Sequence, residues 1–564
     1  MRNKNFWLIT LLVVLLLAGG AAAQDANTLP NGVAAGDVTP TTAVLWARST
    51  TMSVTFEVAT DPEFATIITT GSGSGPAAMP PGLAPLKLEV TGLTPGTQYY
   101  YRATDFDGAT AVGTFRTPAE VGERRGLRFG VTGDWRGEMA PYPAVSNVAE
   151  MGLDFFMLHG DTIYADYPSP DVPLGQAITF EDFYRKHAEV YGERYGLNTW
   201  ADVRASTAIF ATIDDHEVTN DFAGGAAPET DPRFTPGDAE FINDTELYET
   251  GLSAFQDYNP LRDEFYGDTG DPRTAQERKL YRYRTFGSDA ALFILDARSF
   301  RDPALPNVEE FTMEQIGPFL AATFEPGRTM LGAAQLADLK ADLLDAQTQG
   351  ILWKFVMVPE PIQNLGPLNA GDRFEGYAAE RTELLKFIVD NQIANVVFVT
   401  ADIHGTLVNN ITYQDAPGGV QIATGTFEIS VGSAAFDAPF GPTVVALAAG
   451  LDFITPQQRA LYNVAPPVLK ESFIAELVNG QIEPLGYDPL GLEGADIQAE
   501  LVSGGYLVTG SYGWTLFEID AETQQLRVVT YGIPYYTQSE LVADPEKYIT
   551  LEPAILSEFV VTPK

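Results

Sequence analysis

Leu127-Arg128-Phe129-Gly130-Val131-Thr132 runs directly into Gly133-Asp134, and Phe155-Phe156-Met157-Leu158 runs into His159-Gly160-Asp161. Each is a short apolar run of the kind that forms a strand covered on both faces, closed by a polar turn. The pattern returns in Ala208-Ile209-Phe210-Ala211-Thr212-Ile213 before Asp214-Asp215-His216-Glu217, and in Val396-Val397-Phe398-Val399-Thr400 before Ala401-Asp402-Ile403-His404. Ala291–Leu295 and Trp353–Val358 read as further strands, and helices are expected over Tyr142–Met151, Ala333–Ala346 and Tyr377–Asn391. Strands alternating with helices predict an α/β sheet. Ligands of such sheets gather beyond the carboxyl ends of the strands, so the four acidic loops are expected to converge.

Upstream the periodicity is different. Thr42–Ala47, Val54–Val58 and Leu86–Val90 alternate apolar and polar residues, with turn residues between them. Gly92-Leu93-Thr94-Pro95-Gly96 leads into the aromatic run Tyr99-Tyr100-Tyr101, a phrase common in fibronectin type III or immunoglobulin-like β-sandwiches. Residues 28–118 are therefore expected to form a small sandwich and Pro118–Arg125 a linker, with residues 127–564 as the catalytic domain. The sandwich reads as a structural cap beside the catalytic face or as a binding module. Trp46, on an alternating strand, reads as core. The segments Phe222–Gly270 and Ser433–Gly504 read as long loops around the mouth of the site.

Residues 1–23 read as a signal peptide: Arg2 and Lys4, an apolar core from Trp7 to Ala18, and Ala21-Ala22-Ala23 before Gln24. The apolar run is shorter than the roughly 20 residues of a membrane span. An exported, periplasmic or extracellular protein without a transmembrane segment is expected. Cysteine is absent, which excludes disulfides and thiolate ligands. The 34 Lys and Arg residues face 75 Asp and Glu residues, a formal charge of −41 that repels nucleic-acid backbones and anionic membranes. It does not exclude a phosphate substrate, because bound cations reverse the local field. A monomer is expected.

Carboxylates, a phenol and imidazoles are hard to borderline donors, suited to Fe(III), Ca, Mn, Zn or Mg. Asp134, Asp161, Asp215, Asp402 and His404 lie directly after strands, and Tyr164 follows Asp161 by one short turn. Asp161 is the candidate bridge between two ions, which together activate water and stabilise a phosphoryl transition state. His216 is expected to contact the phosphate and protonate the leaving group, or alternatively to hold a metal ligand by a hydrogen bond. His187, within Phe183–Val190, reads as structural.

Further phrases carry a resemblance. Asn31–Asp37, Val44–Arg48, His159-Gly160-Asp161-Thr162-Ile163-Tyr164, Asp214–Asn220, Leu295–Arg301, Met330–Gln335, Asp372–Arg381 and Ala401-Asp402-Ile403-His404-Gly405 are similar, in order, to the PhoD-type alkaline phosphatase and phosphodiesterase family of metallophosphoesterases. The resemblance implies a four-layer αββα core preceded by the small β-sandwich. It also implies Asp161 as bridging ligand, Tyr164 and His404 on an iron-like ion, and Asp402 with Asn220 or Asp215 on a second ion, often calcium. Asn220 and His216 would meet the substrate. Two or more ions are implied, Fe(III) with Ca(II), with Zn, Mn or Mg as alternatives. The family usually has a cysteine where this chain has Asp134; Gly133-Asp134 instead resembles the first motif of purple acid phosphatases, and Asp134 is a harder ligand than thiolate. No Arg-Arg pair precedes the apolar core, although the family is often exported by the twin-arginine route.

The expected function is hydrolysis of small phosphate mono- or diesters by a metal-bound hydroxide, with Asp161 and His216 central to catalysis. The alternatives are a phospholipase D-like enzyme or nucleotide phosphodiesterase of the same superfamily, or a non-enzymatic calcium-binding surface protein. Calcium alone leaves Tyr164 and His404 without a reason, since it rarely takes histidine.

Overall fold

The computed structural model describes residues 27–76 and 82–564; the expected signal peptide lies outside them. Seven strands come first: β1 (Val33–Thr39), β2 (Thr42–Ala47), β3 (Val54–Ala59), β4 (Ile67–Ser72), β5 (Leu86–Thr91), β6 (Gln98–Asp105) and β7 (Thr110–Arg116). β8 (Leu127–Trp135), β9 (Phe155–His159) and β10 (Ala208–Thr212) follow as neighbouring parallel strands. Next in sequence are β11 (Arg282–Phe286), β12 (Ala290–Ile294), β13 (Trp353–Met357), β14 (Val396–Thr400), β15 (Thr406–Tyr413), β16 (Ile422–Ser430) and β17 (Ser433–Ala435). The last are β18 (Ala499–Ser503), β19 (Leu507–Val508), β20 (Ser511–Ile519), β21 (Leu526–Pro534) and β22 (Ala554–Val561).

These strands make three sheets. β4-β3-β6-β7 is one face of the N-terminal sandwich, and every second residue of β6 (Tyr99, Tyr101, Ala103, Asp105) is buried. The other face, β1-β2-β5, is not a separate sheet. β1 pairs in parallel with β10, Ala35 opposite Ala208 and Gly36 opposite Ile209, so the large sheet runs β18-β22-β21-β20-β8-β9-β10-β1-β2-β5. Gly36 permits this approach: a Cβ there would lie 2.2 Å from the Ile209 carbonyl oxygen. The third sheet runs β11-β12-β13-β14-β16-β15-β19 and faces the large one.

Aromatic side chains fill the space between the two large sheets. Phe129 stacks on Phe155 at 4.6 Å and on Phe517 at 4.8 Å, and Phe355 of the opposite sheet meets it edge-on at 4.9 Å. Helices α1 (Phe180–Val190), α2 (Thr199–Ser206) and α3 (Glu246–Tyr258) cover the outer face of the large sheet through Phe183, Trp200 and Leu252. After α4 (Met313–Thr323), helices α5 (Ala333–Thr348) and α6 (Ala378–Asp390) cover the second sheet through Leu339, Leu343 and Leu385. The result is a four-layer αββα core with the sandwich on one edge. Helices α7 (Phe440–Gly450), α8 (Pro456–Val464) and α9 (Pro467–Ile482) share an apolar cluster of their own with Leu407. No helix among the described residues is long and apolar enough to cross a membrane.

Some local expectations fail for physical reasons. Residues 142–151 make only two 3-10 turns, Pro143–Val145 and Val148–Glu150, and Tyr142 holds a left-handed φ of 64° that an α-helix does not accommodate. The stretches 222–270 and 433–504 hold α3 and α7 to α9 rather than irregular loop. Trp46 is fully buried and donates its indole N–H to the Asp257 carbonyl at 2.8 Å.

A buried charge cluster ties the N-terminal strands to the core. Asp37, fully buried, accepts from Arg284 Nη2 at 2.5 Å and lies 3.2 Å from Arg262 Nη1 and 3.5 Å from Arg282 Nε. Burial alone would raise its pKa; Arg284, Arg282 and Arg262 outweigh it and hold the carboxyl well below the usual range. Breaking a buried charge group by removing one member is strongly destabilising, so Asp37→Asn is expected to cost about 3 kcal/mol in urea unfolding. An unchanged midpoint would remove the cluster from any role in joining the two regions.

His187 lies buried in α1, stacked on Tyr258 of α3 at 5.1 Å, and neither ring nitrogen has a partner among the described residues. Burial, aided by Arg204, lowers its pKa from 6.5 to about 3. The unfolded chain thus binds a proton that the folded chain refuses, and stability falls as pH drops from 6.5 towards that value. His187→Phe should therefore lose less stability than the parent between pH 6.5 and about 4, by about 2–3 kcal/mol. Parallel pH dependences of the two urea midpoints would contradict this.

Candidate metal centre

The parallel strands of both large sheets end at the same edge of the molecule, and the acidic loops follow from them. His159, at the end of β9, is fully buried and bonds through Nε2 to the Val399 carbonyl of β14 at 2.9 Å. Burial lowers its pKa to about 4, so the ring is neutral and donates. Thr212 Oγ1 donates to the Leu295 carbonyl at 2.7 Å, a second tie between the sheets. These ties bring the end of β14, with Asp402 and His404, against the ends of β8 and β9.

Two groups of potential ligand atoms result, each within 4.8 Å internally: Asp134, Asp161 and His404, and Asp161, Asp215 and His216. They share Asp161. The Tyr164 hydroxyl donates to Asp161 Oδ2 at 2.9 Å, and His404 Nε2 lies 3.4 Å from Asp134 Oδ1. Asp402 stands near Asp214, Asp215 and Asp134; its partial enclosure and these charges, against Arg298, push its pKa well up. The Asn220 residue is exposed at the rim, with its backbone N–H donating to Asp166 Oδ2 at 2.8 Å.

The backbone at these loops is unusual. Asp134, Asp161, Asp402 and His404 all have left-handed φ, at 57°, 52°, 63° and 56°. Non-glycine residues hold this conformation only where the surroundings fix it, and such strain collects at functional sites. Glu217 does part of the fixing. Its carboxylate accepts from the backbone of Asp161 at 3.3 Å, Thr162 at 2.6 Å and Asp214 at 2.9 Å.

The donor set fits cations. Both carboxylate oxygens of Asp134 are buried without a hydrogen-bond partner among the described residues. An ionised carboxylate buried without partners is costly, and a bound cation removes that cost. Burial, together with Asp215, Asp214 and Asp134, pushes the pKa of Asp161 well above the carboxylate range. Oxygen, phenol and imidazole donors around a shared aspartate are compatible with more than one ion.

Several residues of the site have no role in the sequence reading. Asp166 Oδ1 accepts from His216 Nδ1 at 2.7 Å. Arg298, fully buried, reaches Asp214 at 2.8 Å, Asp372 at 2.8 Å, Glu360 at 2.6 Å and Asp215 at 3.5 Å. Arg301 pairs with Glu360 at 2.9 Å and Asp372 at 2.8 Å. Phe436 lies with its ring 3.7 Å from His404 and 5.4 Å from Tyr164. Arg298 and Asp372 sit within recognised phrases, but nothing local marks them as partners; Asp166 carries only its closeness to Tyr164, and Phe436 carries no signal.

Fold and site together define a metallophosphoesterase-like αββα protein. The sequence profile of PhoD-like phosphatases matches residues 132–463, and that of the PhoD-like phosphatase N-terminal domain matches residues 16–119. Alkaline phosphatase D of Bacillus subtilis (strain 168) is 27% identical over 439 residues, covering 70% of this chain and 69% of that protein. A solved structure of PhoD superposes with a TM-score of 0.66 at 19% identity, covering 96% of this chain and 92% of that one. The chain belongs to the PhoD-like phosphatase family and is a phosphoesterase. The alternative of a non-enzymatic calcium-binding protein is set aside on that ground.

If cations hold these carboxylates together, removing them should be felt in stability. Dialysis against a strong chelator is expected to lower the melting temperature, and re-addition of metal to restore it. Asp161→Asn, which removes the shared charge, should blunt both shifts in a thermal scan. A melting temperature indifferent to chelator would argue against resident ions.

Proposed function

We propose that this chain is an exported hydrolase of small phosphate mono- or diesters that works with two or more metal ions. The observation that carries the reading is the pair of carboxylate–imidazole groups with Asp161 common to both. Asp134, Asp161, Tyr164 and His404 form the natural donor set for a hard, highly charged ion such as Fe(III); Asp161, Asp215 and Asp402, with Asn220 at the rim, form that for a second ion such as Ca(II). Zn, Mn and Mg suit the same donors, and metal analysis of the purified protein discriminates among them. Bound ions supply an activated water and offset charge on the phosphoryl group.

The chain's own residues supply orientation and proton handling. Asp166 fixes the His216 ring by Nδ1, so Nε2 remains to hold a proton at the departing ester oxygen. Burial lowers the pKa of this imidazole, but without a cation on Asp215 that carboxylate and Asp166 outweigh burial and raise it to about 9. Arg298 holds Asp214, Asp372 and Glu360 as one unit behind Asp215 and so positions that carboxylate. Glu217 orients the Asp161 turn. The basic start, apolar core and alanine-rich end of residues 1–23 support export, and the charge of −41 favours a small-molecule substrate over nucleic acid and a monomeric chain.

Asp161→Ala and His404→Ala are expected to reduce hydrolysis of p-nitrophenyl phosphate and of bis(p-nitrophenyl) phosphate to the uncatalysed background. His216→Gln should lower kcat by about 10²–10⁴-fold, the usual contribution of a positioned acid. Circular dichroism would establish that each variant is folded. Undiminished turnover by folded Asp161→Ala overturns the assignment, and a wild-type enzyme inert on both esters overturns the substrate class.

A further inference from the structure

A cavity of about 330 Å3 opens beside the candidate centre, with Asp402 and His404 at its inner end. Its walls are of a different character from the rest of this acidic chain. Leu365 and Leu368 line one side, Val444 and Leu447 of α7 another, and Leu477 of α9 a third. Asp402 is the only carboxylate among its described lining residues. Arg373, also in the wall, is already paired with Glu375 at 3.2 Å and donates to the Gly366 carbonyl at 3.2 Å. The apolar surface continues outward, because Leu447 and Phe453 are 41% and 42% exposed at the cavity's outer side. α7 itself carries no charged side chain.

A phosphate held at Asp402 and His404 would have one ester arm beside this cleft. Charged arms would lose water there and find only the neutral Asn369, Thr443 and Gln481 and the engaged Arg373, whereas a hydrocarbon arm would gain by leaving water. Small-molecule sites are mostly apolar with a few polar groups that fix orientation. Resting on the phosphoesterase reading of the centre, we propose that the cleft between α7, α9 and residues 365–369 is the subsite for an aliphatic ester arm, selecting phosphoesters that carry a hydrocarbon chain.

Methyl-, butyl- and octylphosphonate, each below its aggregation concentration, test this as competitive inhibitors of p-nitrophenyl phosphate turnover by the metal-loaded enzyme. Each buried methylene strengthens binding several-fold in the ideal case, so the inhibition constant should fall at least about tenfold from methyl to octyl. Leu447 lies partly in solvent, so Leu447→Glu can fold, and it should bring the methyl-to-octyl ratio close to one. A flat series in the wild type, including no inhibition by any member, overturns the subsite. A chain-length gain that survives Leu447→Glu places the hydrocarbon elsewhere and overturns it too. Absence of p-nitrophenyl phosphate turnover from the start instead defeats the reading of the metal centre.

Discussion

Carboxylates that crowd together away from water repel one another and lose solvation, and they remain charged only if cations answer them. Asp134, Asp161, Asp214, Asp215 and Glu360 are buried together at the ends of two facing sheets, with Asp372 half-buried beside them. Arg298 and Arg301 answer the rear of the group, where Asp214, Glu360 and Asp372 lie. At the front, neither oxygen of Asp134 has a hydrogen-bond partner among the described residues, and Asp161 accepts from the Tyr164 hydroxyl and the His216 backbone N–H. The division separates carboxylates paired with guanidinium groups from a face whose donor set is compatible with cations. The left-handed turns at Asp134, Asp161, Asp402 and His404 belong to the same constraint, since they aim the unanswered groups at one another.

Polarity then changes sharply over a short distance. On one side of His404 lie the acidic groups, on the other the hydrocarbon wall of α7 and α9. Phe436 sits against the His404 ring, where it limits the motion of the imidazole and excludes water from one of its faces. A chain whose overall charge opposes anions thus places a donor set compatible with cations directly beside a hydrocarbon wall.

The parts legible in the sequence were those whose cause is local. β9, β10 and β14 are covered on both faces and appear as nearly unbroken apolar runs, β8 does so apart from Arg128 and its glycines, and the polar residue that ends each is conspicuous. Asp134, Asp161, Asp215 and His404 stood out for that reason. Contacts made across long stretches of chain left no such mark. Arg298 meets Asp214, Glu360 and Asp372 only after folding, and β20 finds β8 from the far end of the sequence. α7 to α9 escaped notice because their glycines and prolines read as loop punctuation, and residues 142–151 misled because apolar spacing does not reveal the left-handed turn at Tyr142. Most of the sandwich strands were visible one by one, but β1 and β4 were not read as strands, and the pairing of β1 with β10 left no mark, since a parallel partner depends on tertiary position rather than on any turn.

That pairing bears on how the protein comes into being. β10 follows its neighbour β1 by well over a hundred residues, and β8 finds its antiparallel partner β20 several hundred residues further along the chain. Non-local pairings close slowly, because the intervening chain must surrender its freedom before the contacts repay it. The large sheet thus cannot be completed until β20 is available, long after the strands that wait for it. A chain lacking β20 would leave that edge of β8 bare and open to strands of its neighbours, so the burden of reaching the native state falls late in folding.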